Sequence, residues 1–229
     1  MRAKLEVLAL VLGFIGLFGT VATTAMPMWR VSAFIGANLI VMEELWEGLW
    51  MNCWSQADIK LQCKVYDSML ILPPELQAAR GLMCVSIVLV VISLCVTGCG
   101  TQRSNCCGDN IKSKNITLVF GGSLYLLSCL TTLIPVSWVG HTVIRKFYNP
   151  LVMDAEKREL GPALFIGWAT CGILLITGII ILFSYSKRRS QEAEPYADAY
   201  LMALGDARKE GSVYLERTPS SFHKHQEYV

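Results

Sequence analysis

The chain has 229 residues, of which 53% are hydrophobic and 17% charged, and its formal net charge at pH 7 is +2. The charged fraction is well below the roughly 25% that is usual for soluble domains. This composition argues against an ordinary soluble globular protein, and we expect no nucleic-acid partner for a chain so nearly neutral.

Four stretches with few or no charges predict membrane-spanning helices. They cover residues 5–26, 82–100, 116–138 and 162–185. Each is close to the roughly 20 residues of helix that cross a hydrocarbon core about 30 Å thick. The first stretch follows Arg2 and Lys4 as a signal peptide would, but its apolar run exceeds the roughly 7–15 residues of a signal-peptide core. We therefore predict an uncleaved first span and four spans in all.

Positive charge predicts the orientation of these spans. With both termini inside, the inner flanks carry eight Lys and Arg residues in about two dozen positions, whereas the outer loops, residues 27–81 and 139–161, carry eight over 78 positions. Cytoplasmic flanks are enriched in Lys and Arg, so both termini are predicted to be cytosolic.

The first outer loop is predicted to fold as a small antiparallel sheet. Its strand-like segments are WRVSAF (29–34), NLIVM (38–42), LWEGLWMNCW (45–54) and KLQCKVY (60–66). PPELQAARGLM then begins a helix that runs into the second span, since proline suits the first helical turn. In the second outer loop, HTVIRKFYN is predicted to extend the third helix and Asn149-Pro150 to make a turn. The charge-balanced tail, residues 186–229, is predicted to be disordered.

Cys53 and Cys63 lie in the first outer loop, on the oxidising side of the membrane, so a disulfide is the leading interpretation. A zinc site would need about four ligands, and the outer side offers one other strong nitrogen or sulfur ligand, His141. A catalytic dithiol would usually be more closely spaced. We find no outer or intramembrane cluster of His, Asp and Glu suited to catalysis, and so predict no enzyme activity, no metal and no cofactor.

The spacing of the signature residues carries a resemblance to a known family. Trp29, the triplet Gly48-Leu49-Trp50, Cys53 and Cys63 form W-x18-GLW-x2-C-x9-C, which resembles the claudin signature. Arg80 in QAARGLM, the stretches LIPVSW and KRELGPALFIGW, and the terminal Tyr228-Val229 are also similar to claudins. WRVSAFIG and WEGLWMNC are most similar to the claudin-8 and claudin-17 branch of that family.

The resemblance covers residues 5–185 and the last two residues. It implies an α-helical membrane protein with an extracellular β-sheet on a left-handed four-helix transmembrane bundle. It further implies a plasma-membrane protein of tight junctions that polymerises with itself and other claudins, in cis and in trans, and controls paracellular permeability as a seal or an ion-selective pore. The alternative is a regulatory subunit of an ion channel, because channel gamma subunits share the loop and the bundle.

Charged residues beside the two cysteines are the candidates for ion selectivity: Asp58, Lys60, Lys64 and Asp67. Lys64 follows the second cysteine, where cation-pore claudins commonly have an acidic residue. A lysine on a narrow wet passage repels cations over about a Debye length, ~8 Å at physiological salt. We predict a cation barrier or anion-preferring pore. The alternative is a solvated charge away from any pore, and the net charge of −2 in residues 27–81 argues mildly for it.

Further residues have roles implied by the resemblance. Met69 would insert into a neighbour's pocket formed by Phe147, Tyr148 and Leu160, as a head-to-tail cis contact; alternatively it packs within its own chain. FYNPLVMD, residues 147–154, is the predicted trans-facing loop, and the alternative is a plain turn with an apolar tip. Its matching residues are Asn149, Pro150, Leu151 and Val152. They resemble the stretch by which a clostridial enterotoxin engages receptor claudins.

The remaining predictions concern membrane and cytosolic contacts. Tyr228 and Val229 are predicted to bind PDZ domains of zonula occludens scaffolds by adding a strand. Cys106 and Cys107 are candidates for palmitoylation, with free thiols as the alternative. Trp29, Leu49 and Trp50 either anchor the sheet at the lipid interface or form a small core. Gly13, Gly16 and Gly19 form a close-packing groove, within one bundle or at a dimer face.

Overall fold

The computed structural model describes residues 2–33, 44–56, 59–68, 72–101, 111–153 and 156–216. Four long helices dominate it: α1 Arg2–Ala25, α2 Pro74–Gly100, α3 Ile111–Phe147 and α4 Pro162–Glu216. The segments Lys4–Ala25, Pro74–Gly100, Ser113–Phe147 and Pro162–Lys187 are long and apolar enough to cross a membrane. The prediction of four spans is therefore confirmed.

A five-stranded antiparallel sheet accompanies the helices. Its strands are β1 Arg30–Ser32, β2 Glu44–Glu47, β3 Met51–Gln56, β4 Ile59–Val65 and β5 Arg158–Leu160. The spatial order is β4-β3-β2-β1-β5. The edge strand β5 comes from the second outer loop and pairs with β1 of the first outer loop. Val31 of β1 pairs with Trp46 of β2 on one side and with Glu159 of β5 on the other.

The strands predicted from the sequence need two corrections. The segment 45–54 is not one strand: Gly48, Leu49 and Trp50 turn the chain between β2 and β3, and the Gly48 amide donates to the Met51 carbonyl oxygen at 3.0 Å. The sheet also gains β5, which sequence analysis missed because three residues are too few to show an alternating pattern. The predicted strand 38–42 lies outside the described residues.

Helix extensions agree with expectation at α2 and α3 but not in the tail. The helix that begins at Pro74 runs to Gly100 without a break, and α3 continues to Phe147, well past the predicted span end at residue 138. In the tail, where the sequence predicts disorder, α4 is helical as far as Glu216. A helix that continues an existing one needs no new nucleus, which removes the main cost of forming it.

The chain divides into two compact units, Met1–Tyr185 and Ser186–Val229. Within the first unit, the glycines of α1 allow close helix contacts. A Cβ atom on Gly16 would lie 2.7 Å from Leu174, and one on Gly19 would lie 2.3 Å from Thr170, both residues of α4. The same position on Gly13 would meet Tyr125 of α3. The glycine groove is thus filled from within the bundle, which agrees with the intramolecular alternative.

Hydroxyl groups join α2 to α3 inside the bundle. The Ser86 hydroxyl lies 2.5 Å from the Thr132 hydroxyl and 3.2 Å from that of Ser128. All three residues are buried. Neutral hydrogen bonds of this kind hold membrane helices together at low desolvation cost.

Candidate functional site

The junction between the sheet and the helix bundle is built around Trp29 and Leu49. Both side chains are fully buried, in one cluster with residues of α2, α3 and α4 that include Leu76, Val139 and Leu164. The Trp29 indole Nε1 donates to the Thr23 carbonyl oxygen at 2.8 Å, near the end of α1. The two residues therefore form a core shared by sheet and bundle, rather than a lipid-facing anchor or a separate core of the sheet.

Two glycines allow the backbone at residues 26–29 to approach both outer segments. A Cβ atom on Gly48 would lie 2.4 Å from the Pro27 Cα, and one on Gly161 would lie 1.9 Å from the Met28 carbonyl oxygen. The Gly161 amide donates to the Trp29 carbonyl oxygen at 3.1 Å. Any side chain at either position would force backbone apart, so both loops are fixed to the end of α1.

Arg80 joins the signature triplet to α2. Its Nε donates to the Leu49 carbonyl oxygen, and its guanidinium lies 5.3 Å from the Trp50 ring centroid and 5.2 Å from that of Tyr66. A cation between two aromatic faces is attracted to both. Arg80 thereby positions the β2–β3 turn over the start of the span.

Tyr66, the residue that follows β4, takes part in the same contact with Arg80 and the β2–β3 turn. Its hydroxyl is within hydrogen-bonding distance of the Gly48 carbonyl oxygen, 3.1 Å away, and of the Asn52 carboxamide oxygen. Burial raises the pKa of Tyr66 to about 12, and the negative charge of Glu47 adds to the effect. The phenol is therefore neutral at physiological pH and acts as a hydrogen-bond donor to these oxygens.

A network of charged side chains joins the sheet to α2 and α3. Arg30 Nη2 lies 2.7 Å from Glu75 Oε1, and Lys146 Nζ lies 3.5 Å from the same oxygen. Glu47 contacts Arg30 at 3.8 Å and Arg158 at 3.2 Å. Arg30 and Glu75 are both buried. The network spans β1, β2, β5, α2 and α3, so it couples the two loops.

Sequence analysis did not predict this network. Arg30 and Glu75 are 45 residues apart, and Glu47 and Arg158 are 111 apart, so no local pattern marks them as partners. Sequence gives one weak indication: charged residues at 30 and 75 adjoin apolar positions next to predicted spans, where unpaired charge is costly.

The disulfide prediction is confirmed. Cys53 of β3 and Cys63 of β4 are register partners and form a disulfide. Next to it, Lys64 Nζ lies 2.6 Å from Asp67 Oδ2, with 78% and 71% of the two side chains exposed. Two of the four selectivity candidates are thus paired with each other at the surface. Lys60 falls within β4, and Asp58 lies outside the described residues.

The three predicted pocket residues of the cis contact line one cavity. Phe147, Tyr148 and Leu160 border an open cavity of about 360 Å³ together with Ile144 and Phe165, among others. The Phe147 and Tyr148 rings meet edge to face at a centroid distance of 5.4 Å. Arg158, which pairs with Glu47, also borders this cavity. Met69, the predicted insert, lies outside the described residues.

The loop after α3 presents an apolar tip. The Leu151 amide donates to Asn149 Oδ1 at 3.0 Å, and the Val152 amide donates to the Asn149 carbonyl oxygen at 3.3 Å. This side-chain turn is one that asparagine readily forms. It leaves the Leu151 side chain 90% exposed, and Pro150 lies between the two bonded residues.

Several predicted sites lie outside the described residues, namely Cys106, Cys107, Tyr228 and Val229. In the part of the chain that the structure describes, no group of three or more His, Cys, Asp or Glu residues is placed to hold a metal ion.

The fold and its site define a class: a four-span membrane protein whose loops form one disulfide-linked sheet on the bundle. The model of the PMP-22/EMP/MP20/Claudin family matches residues 3–181. Claudin-17 of Sus scrofa is 47% identical over 219 residues, 95% of this chain and 97% of the relative. Claudin-8 of Mus musculus is 44% identical over 98% of both chains. Claudin-3 of Homo sapiens is 47% identical over 83% of this chain and 86% of the relative.

The chain belongs to the PMP-22/EMP/MP20/Claudin family, and within it to the claudins. It is accordingly a multi-pass membrane protein of tight junctions that interacts with claudins, and a structural protein rather than an enzyme. Of the W-GLW-C-C pattern, Trp29, Gly48, Leu49 and Trp50 hold the sheet on the bundle together with Arg80, whereas the two cysteines link β3 to β4.

Proposed function

We propose that this claudin polymerises side by side through the cavity at Phe147, Tyr148 and Leu160, and that the resulting strands form a paracellular cation barrier or anion-preferring pore. The observation that carries the proposal is the convergence of these three residues on one open cavity of about 360 Å³. An aromatic cavity with an exposed rim suits an apolar side chain from a neighbour, and Met69 is the proposed insert.

The geometry of such a contact favours strands. The cavity lies at the end of α3 and β5, whereas the proposed insert comes from the segment between β4 and α2. Two different surfaces in contact make a head-to-tail interface, and a head-to-tail interface that does not close propagates into a filament. The remaining surfaces would face the neighbouring cell, with Leu151 at the tip of the second loop.

Lys64 is the proposed selectivity determinant. Its charge is exposed, as a pore-lining group requires, but Asp67 neutralises part of it at 2.6 Å. Most of both side chains is exposed to solvent, so the pair contributes little to stability. The selectivity of the pore then depends on the balance of these two charges, and anions are favoured only to the extent that Lys64 lies nearer to the passage.

The proposed membrane arrangement places both termini in the cytosol, because of the dense positive charge of the inner flanks. The proposed partners are zonula occludens scaffolds, through a strand added by Tyr228 and Val229 to a PDZ domain, and clostridial enterotoxin, through residues 149–152. Cys106 and Cys107 are proposed as palmitoylation sites.

Strand formation is tested in cells that lack claudins. Freeze-fracture of cells expressing the chain is expected to show continuous strands, and Tyr148→Ala is expected to break them by removing one wall of the cavity. Leu151→Ala is the control, since Leu151 is an exposed apolar residue of the same loop region that does not line the cavity. Continuous strands with Tyr148→Ala would contradict the proposed contact. Absence of strands with the unaltered chain would favour a channel-subunit role.

Ion preference is tested by NaCl dilution potentials across the same cell layers. Lys64→Asp reverses one exposed charge, and we expect the potential to shift toward cation preference, while Lys64→Arg leaves it unchanged. The shift should shrink at high ionic strength, because the Debye length falls from ~8 Å to about 3 Å at 1 M salt. Equal dilution potentials for the two variants would show that Lys64 does not line the pore.

A further inference from the structure

A cavity of about 320 Å³ opens on α2 at the end that carries the sheet. It is lined by Trp50, Gln77, Arg80, Gly81 and Cys84. The four α2 residues follow the spacing i, i+3, i+4, i+7, which places them on one helix face. No described atom lies within 4 Å of where a Cβ atom on Gly81 would be, and Cys84 is exposed. Pro74–Gly100 is long and apolar enough to cross a membrane, so we place this open face at the outer edge of the lipid layer.

The cavity is bordered by a buried cation, the guanidinium group of Arg80. Arg80 is only 8% exposed, and among the residues that the structure describes no carboxylate forms an ion pair with it. Arg30, the other buried arginine of the junction, contacts two glutamates. The Trp50 and Tyr66 rings attract the Arg80 charge, but buried charges are normally compensated by an opposite charge.

We infer that the cavity binds one phospholipid, with its phosphate on Arg80 and an acyl chain along Gly81 and Cys84. The anion available at this depth of a membrane is the lipid phosphate, and guanidinium groups bind phosphate with strong charge-assisted hydrogen bonds. Trp50 borders the cavity beside Arg80, and tryptophan is a side chain favoured at the lipid interface. One turn further along α2 the lining becomes apolar, which matches the step from headgroup to acyl chain.

Such a lipid would act as part of the sheet's support. Arg80 also holds the Leu49 carbonyl oxygen, so the phosphate, the guanidinium and the β2–β3 turn would form one connected unit. The height of the sheet above the membrane would then be set by the lipid headgroup as well as by the protein core.

The test uses purified full-length protein and native mass spectrometry, with phosphatidylcholine and diacylglycerol of the same acyl chains as probes. We expect phosphatidylcholine to bind at least about tenfold more tightly than diacylglycerol, because only it carries the phosphate. Equal binding of the two probes would overturn recognition of the phosphate. Displacement of phosphatidylcholine by an equimolar sterol would overturn the assignment to a phospholipid.

A matched pair of glycine variants tests the location. Gly81→Leu fills the cavity with a good helix former, and we expect it to weaken phosphatidylcholine binding by about tenfold or more. Gly98→Leu is the control, because Gly98 lies on the same helix, also has no described atom within 4 Å of a Cβ position, and does not line the cavity. Equal binding by the two variants would overturn the site.

Discussion

The two ends of the five-stranded sheet are held in different ways. At the β4 end, the Cys53–Cys63 disulfide links β3 to β4, and the neighbouring charges of Lys64 and Asp67 point into solvent. At the β5 end, no covalent link is needed, because Arg30 and Glu47 connect the strands to each other and to the helices. At the β4 end, the charges of Lys64 and Asp67 can therefore be changed without breaking the link between the strands. At the β5 end, the ion pairs also fix the sheet to the bundle.

This difference follows from the surroundings of each end. A disulfide stabilises a strand pair without any help from the bundle, since it restricts the unfolded chain. A buried ion network is stable only if all its members are present, because each lone charge would be costly to bury. The two ends should therefore fail in different ways when they are altered.

The largest effect is expected from Arg30→Met. Among the described residues, the change leaves buried Glu75 with Lys146 as its remaining ion-pair partner, which should cost about 3–5 kcal/mol of unfolding free energy. Denaturant unfolding in detergent, followed by tryptophan fluorescence, measures it. Limited trypsin digestion should also show faster cleavage at Lys157 and Arg158, in and beside β5. Arg145→Met is the control, because Arg145 is exposed and lies next to Lys146 at the end of α3. Equal unfolding free energies of the two variants would show that the network does not stabilise the fold.

The second effect is expected from replacing both Cys53 and Cys63 with serine. Closing a loop across a sequence separation of 10 residues stabilises by about 3 kcal/mol in the chain-entropy model. Trypsin should then cut faster at Lys60 and Lys64 but not at Arg158. Cys95→Ser is the control, since Cys95 is a free, exposed thiol that does not line the α2 cavity. Faster cleavage at Arg158 would mean that the two ends of the sheet do not fail separately.

The smallest effect on stability is expected from Asp67→Asn. An exposed ion pair contributes roughly 0.2–1 kcal/mol, so the unfolding free energy should hardly change. The dilution potential should shift toward anion preference, however, because Lys64 loses the charge that neutralises it. Asp67→Glu keeps the charge and should leave the potential unchanged. A shift toward cations with Asp67→Asn would reverse the proposed role of this end of the sheet.

The parts of the fold that sequence reasoning predicted rest on local signals. Four long apolar runs give the spans, proline at residue 74 gives the start of α2, and the spacing of Trp29, Gly48 and the cysteines gives the family pattern. What the pattern does not give is where Trp29 and Leu49 go. Their burial between helices depends on the docking of the sheet, which no sequence period records.

The misses have the same physical origin. β5 exists because Arg158–Leu160 meets β1, and its three residues have too little strand signal of their own. The Arg30–Glu75 and Glu47–Arg158 pairs join distant segments. The α2 cavity depends on the open space beside Gly81, which no spacing of residues in the sequence encodes.

The unbroken length of α3 has a mechanical consequence. Its 37 residues make a rod about 55 Å long, and Pro135 lies inside it. From Pro135 to Phe147 the rod extends roughly 18 Å, so a change of about 10° in the bend that proline allows would move its tip by roughly 3 Å. The cavity lined by Phe147 and Tyr148 lies at that tip. If neighbouring subunits meet at this cavity, as proposed above, a change in that bend would alter the spacing between them.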